Sequence, residues 1–149
     1  MNPNELTTYI HKHIPITFNL GAKVEEYNGE SIIISAPIEP NLNHRNTAFG
    51  GSISALGILS GWALIFLKLR ELGIKNRLVI QKSSFDFFEP IENEFKACCC
   101  MPANDEWNKF INTLNRHGRA RISVQSKIES QNGDGGKHFG TYVAILPEK

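Results

Sequence analysis

Asn43, His44 and Gly51 fall in one short stretch whose residue types suit carbonyl or anion chemistry. The run Asn41-Leu42-Asn43-His44-Arg45-Asn46-Thr47 is polar and rich in amides, turns at Gly50-Gly51, and passes into an apolar segment with no charge until Lys68. A helix starting at the glycine pair would leave its first N–H groups without internal partners and place partial positive charge there. Such an end attracts an anion, or a carbonyl oxygen that takes on negative charge. The Gly51 N–H is the best-placed donor, and a glycine lets a ligand approach the backbone closely; the pair serves equally as a tight turn into the helix.

Asn43 can orient a water but cannot act as a base near neutral pH, and the same side chain is suited to bracing the loop through an Asx turn. His44 has the one intrinsic pKa in this loop that fits a base, or it is an exposed loop histidine. Asn46 and Thr47 brace the loop or hold water. Asp86 sits between Phe85 and Phe87 in a strand-like run. A carboxylate on the face opposite two rings can enter a cleft, with Glu89 as second choice; the alternative is solvation or pairing with Lys82 or an arginine. Ser54 and Ser60 can project from the helix, as can Ser52. No Ser-His-Asp order accompanies them, and helical serines commonly bond back to a carbonyl. Arg116, Arg119 and Arg121 form the one local basic cluster, extended on the same strand face by Lys127. They suit anionic groups or simply a solvated sheet face.

These residues must be carried by a scaffold. At 149 residues the chain suits one domain, spanning 1–149, with a sizeable core. A net charge of +1 argues against a general nucleic-acid binder. Cys98, Cys99 and Cys100 are consecutive, which is poor geometry for a mutual disulfide and matches no zinc spacing. They read as free thiols filling a strand in a reducing, cytoplasmic setting. His11 and His13 read as surface residues without metal partners. No Walker or dinucleotide glycine motif is present, so no separate cofactor is expected.

Asn2-Pro3-Asn4-Glu5 is a helix start, and Leu6, Tyr9 and Ile10 follow at helical spacing until Pro15. From Phe18 the apolar period becomes two through Leu20, Ala22 and Val24, predicting a strand. Asn28-Gly29 predicts a hairpin turn, and Ser31 to Ile38 the returning strand. The helix from Gly50 to about Leu72 is apolar on most sides and stops at Gly73. Its length suits a bilayer, and Gly57-x-x-x-Gly61 fits a membrane packing motif. Its glycines, its serines and the half-buried strands on either side favour a soluble core instead. Strands are expected at Leu78–Phe88 and Phe95–Met101, then a helix that Asn104-Asp105-Glu106 can cap and that carries Trp107, Phe110, Ile111 and Leu114 on one face up to Gly118. Ala120 to Glu129 alternates most cleanly. Gly133 to Gly136 reads as a loop and Phe139 to Leu146 as the last strand. The result is an α+β chain in which a curved antiparallel sheet wraps a long central helix.

The run Pro40 to Ser52 resembles the thioesterase family related to the C-terminal domain of YiiD, and Val79-Ile80-Gln81 and Gly118-Arg119-Ala120-Arg121 extend the resemblance over nearly the whole chain. It implies a hotdog fold, assembly as a homodimer or homotetramer, and acyl thioesters of coenzyme A or acyl carrier protein as substrates. Arg119 and Arg121 would then clamp coenzyme A phosphates or an acidic carrier surface, and a second protomer would supply Asp86 or basic residues. Hotdog thioesterases of the phenylacetyl-CoA type carry an Asn, five residues, His-Gly-Gly, and an acid one to two turns into the helix. Asn43 and Gly50-Gly51 match that pattern. Phe49 replaces the histidine, and no acid lies between Thr47 and Leu67. The alternative implied is an acyl-binding hotdog domain that does not hydrolyse. Trp62 and Phe66 are candidates for shortening an acyl tunnel.

Overall fold

A computed structural model describes residues 1–148. Helix α1 (Pro3–His13) begins as its sequence predicts, with the Asn2 side chain accepting the Glu5 N–H at 2.8 Å and Pro3 in the first turn. It buries Leu6 and Ile10 and packs against β1 (Lys23–Tyr27), whose Val24 N–H donates to the Thr7 hydroxyl.

The strand expected from Phe18 does not form there. Ile16–Leu20 is a second short helix, α2, and Phe18 is 67% exposed. Pro15 already has helical backbone angles, and Gly21, at φ 72°, ends the turn in the left-handed region. This pair of backbone constraints outweighs four alternating side chains.

After β1, Gly29 (φ 86°) turns the chain while the Asn28 side chain accepts from the Glu30 and Ser31 amides. Strand β2 (Ser31–Ala36) stops before Pro37, two residues short of the expected end.

Helix α3 (Gly50–Glu71) has 22 residues and lies against β2, β3 (Arg77–Phe87), β4 (Phe95–Cys100), β5 (Arg119–Ser130) and β6 (Gly133–Ile145). Leu56, Ala63, Leu64, Ile65 and Leu69 have no exposed surface. On the side of α3 away from the glycines, Phe66 stacks on Trp62 and on Tyr9 of α1 (centroids 4.8 and 5.2 Å), and the Trp62 indole N–H donates to the Leu78 carbonyl. The helix is long and apolar enough to cross a bilayer, yet most of its apolar window is buried within the fold. Its Gly57 and Gly61 admit the His138 and Tyr142 side chains of β6 rather than another membrane helix.

All strand pairs are antiparallel in one six-stranded sheet, ordered β1-β2-β4-β5-β6-β3. Strand β5 buries every second residue, from Ala120 to Ile128. The expected loop Gly133–Gly136 belongs to β6 instead. A side chain at Gly135 would meet Ile91 at 2.7 Å, and one at Gly136 the Phe85 ring, so these glycines permit close packing inside a strand. Helix α4 (Asn104–His117) packs on β5 through Phe110 and Leu114. Asn104 is its first residue and caps nothing; Asp105 and Glu106 supply first-turn acid. Cys98, Cys99 and Cys100 are free thiols in β4, and burial pushes the Cys99 thiol up to about 12.

Candidate active site

The loop before α3 is a small closed structure. Leu42 and Ala48 form an isolated antiparallel bridge. Between them, the Asn43 amide donates to the Thr47 carbonyl at 2.8 Å, and Asn43 Oδ1 accepts from the Arg45 and Thr47 amides at 2.8 and 3.1 Å. Asn43 Nδ2 donates to Thr47 Oγ1 at 2.9 Å. Asn46 takes the left-handed conformation (φ 61°) that completes the turn. Asn43 therefore spends its oxygen on the loop. Asn41 anchors the base of this loop: it is buried, and its Nδ2 donates to the Leu20 and Pro37 carbonyls. His44 is exposed on the loop, with Arg45 Nε donating to its Nε2 at 3.4 Å.

At the start of α3 the Ser52 and Ile53 amides both donate to the Phe49 carbonyl, at 3.0 and 3.1 Å. The Gly50 and Gly51 amides meet no acceptor among the described residues, and Gly51 is exposed. Two rings frame them. Phe49 lies over Gly51, and Phe87 of β3 stands 3.5 Å from where a Gly50 side chain would begin. Both rings are more than half exposed. The arrangement offers an electropositive pair of donors set in an apolar frame, which can hold a carbonyl oxygen with an alkyl chain beside it.

Other expected residues lie apart from this point. Phe85 and Phe87 face α3, so Asp86 projects from the opposite, solvent-facing side of β3, opposite Lys137 in register. Within one chain it does not meet the helix start. Arg119 and Arg121 stand exposed on the outer face of β5, unpaired among the described residues, while Lys127 is paired with Glu129 at 3.3 Å. The Ser60 hydroxyl is buried, 2.8 Å from the Gly57 carbonyl and 2.7 Å from Ser126 Oγ, which makes it a link between α3 and β5.

One polar couple escapes sequence reasoning. His138 has no exposed surface, yet its Nε2 lies 2.7 Å from Oγ of Ser83, an exposed residue on the neighbouring edge strand. His138 Nδ1 is buried without a partner among the described residues. Burial lowers its pKa from the usual histidine value, so the neutral ring is favoured. The one available signal was Gly136-x-His138-x-Gly140, a histidine between glycines at strand period, which clears room on a single face.

A sheet wrapped around a buried helix whose N-terminus opens beside a short amide-rich loop defines a hotdog-type fold of the thioesterase class. Residues 3–146 match the family model described as "Putative thioesterase (yiiD_Cterm)", and the chain belongs to that family. Among solved structures, a protein of unknown function from Chlorobaculum tepidum, OLEI01261, is 28% identical with TM-score 0.91, covering 98% of each chain. A protein from Shewanella oneidensis described as a "putative thioesterase" is 21% identical with TM-score 0.86, covering 97% of each chain. A thioesterase from Haemophilus influenzae is 12% identical with TM-score 0.75, covering 98% of this chain and 91% of that one.

Proposed function

We propose that this protein hydrolyses acyl thioesters of coenzyme A or of an acyl carrier protein. The observation that carries the reading is the exposed, unpartnered Gly51 amide at the start of α3, framed by Phe49 and Phe87. Hydrolysis develops negative charge on the carbonyl oxygen, and a fixed donor at a helix N-terminus stabilises that charge more than it stabilises the neutral carbonyl. The two rings offer apolar area to the acyl chain.

The working unit in this reading is a homodimer or homotetramer. Strand β3 is an eleven-residue edge that, among the described residues, pairs with β6 alone, with Val79 and Phe87 exposed along it, and such an edge invites a second strand. In such an assembly the exposed His44 becomes available to the site of another copy, whereas Asp86 stays on the solvent-facing side of the sheet. The unpaired Arg119 and Arg121 would receive the phosphates of the carrier arm or its acidic surface. Asn43 contributes by holding the loop.

Thiol release from a panel of acyl-CoA and acyl-carrier-protein thioesters of graded chain length tests this directly. Turnover on at least one member is expected. Arg119→Ala with Arg121→Ala is expected to raise KM with kcat little changed. A second reading is an acyl-binding domain without hydrolysis. It is favoured by the lack of any carboxylate in α3 before Glu71. Tight binding of acyl-CoA with no thiol release would select it.

A further inference from the structure

The Ser83–His138 couple has the geometry of a nucleophile and its base, and it stands apart from the Gly51 amide. Its two members come from adjacent strands and lie 55 positions apart in sequence. The oxygen–nitrogen separation of 2.7 Å is within reach for proton transfer. The two ends of the couple differ in exposure: Ser83 opens to the outside, and His138 is sealed beneath it against Gly57 and Phe85. A buried imidazole with one nitrogen unpartnered and the other aimed at an exposed hydroxyl is an expensive arrangement for packing alone.

We propose that Ser83 is an acyl-accepting nucleophile and His138 its general base, an assignment that rests on the thioesterase reading for its substrate. Ser83 Oγ bonds to the thioester carbonyl carbon as its proton passes to His138 Nε2. The carbon–sulfur bond then breaks, and the departing sulfur takes that proton, leaving an ester on Ser83. Water attacks the ester carbonyl and gives its proton to Nε2. The carbon–Oγ bond breaks, Oγ recovers the proton, and the free acid leaves. Nε2 can accept only while the ring's own proton sits on Nδ1, and no carboxylate holds it there.

Within one chain the couple is remote from Gly51. Ser83 lies four residues along β3 from Phe87, about 13 Å at strand rise. A second copy would close the gap if two β3 edges paired antiparallel about Phe85: Ser83 would then stand opposite Phe87 of the second copy, and Phe87 lies against Gly50 at the start of α3.

The test treats the full-length protein, Ser83→Ala and His138→Gln with an alkyl fluorophosphonate, and reads intact mass and peptide maps alongside thiol release from the acyl-CoA panel. One adduct mapping to Ser83 is expected in the unaltered protein, none in Ser83→Ala, and labelling at least about tenfold slower in His138→Gln. Thiol release should fall by about a hundredfold or more in both variants. Ser83 is exposed in the single chain, so its variant is expected to keep the unaltered circular-dichroism spectrum and, by size-exclusion chromatography, the unaltered assembly, which separates chemistry from folding and association. Undiminished thiol release by Ser83→Ala overturns the couple and leaves the hydrolase reading standing. A labelled Ser83 with no thiol release from any thioester upholds the couple and overturns the hydrolase reading. No adduct at Ser83 overturns the couple.

Discussion

A β-carbon placed on Gly57 would stand 2.7 Å from the β-carbon of His138 and 3.0 Å from its Cγ. The atoms it meets are at the root of the side chain, so neither residue can swing aside. The missing side chain in α3 is what lets the histidine of β6 pack against the helix.

Gly57→Ala is therefore expected to lower stability, although alanine is the better helix former by about 1 kcal/mol. Overpacking of this kind costs about 1–3 kcal/mol, and a net loss near 1 kcal/mol should appear in urea unfolding. A gain in stability would mean that α3 and β6 are not in contact at this point.

Asn43 separates bracing from catalysis by a conservative pair. Aspartate keeps the oxygen that accepts the Arg45 and Thr47 amides, whereas alanine loses it. Asn43→Ala should cost about 1 kcal/mol and reduce turnover; Asn43→Asp should retain stability and most of the rate. Equal loss of turnover in both, with the stability of Asn43→Asp retained, would place the Asn43 amide nitrogen on the substrate rather than on Thr47.

Gly51→Pro removes the N–H that the proposed carbonyl site needs, at a first-turn position where helices tolerate proline. Turnover should fall by about a hundredfold, with the unfolding midpoint nearly unchanged. Gly51→Ala is the control: it keeps the amide and displaces only the exposed ring of Phe49. A Gly51→Pro enzyme with full activity would remove the helix start from the mechanism.

Stability should depend on pH through His138. Its pKa in the folded chain is below the ordinary 6.5, because burial disfavours the cation. Between 6.5 and that lower folded pKa the unfolded chain binds a proton that the folded chain refuses, so the unfolded state gains. Stability is accordingly full above about pH 6.5 and declines as pH falls toward the folded pKa. Urea midpoints between about pH 7.5 and about pH 5.5 should show a decline that His138→Gln lessens. Identical pH slopes in the two proteins would show that His138 is accessible to protons while folded.

Sequence by itself determined the central helix, the clean alternation of β5, the hairpin at Gly29 and the loop that delivers Gly51, because each depends on neighbours within a few residues. Helical and strand periods, caps and turn residues are local properties of a chain. Backbone constraints at Pro15 and Gly21 were also visible, but a run of alternating apolar residues competed with them, and only the folded chain shows that α2 prevails. Asp86 illustrates a different limit. Its alternation with Phe85 and Phe87 was plain, but which face of β3 meets α3 is decided by the pairing with β6. Ser83 and His138 lie furthest from sequence reasoning. Each is an unremarked polar residue in its own strand, and their meeting follows from β3 and β6 being neighbours in the sheet while Gly57 clears space beneath them. Contacts between strands distant in sequence arise from how the sheet closes over the helix, and no local pattern carries that information.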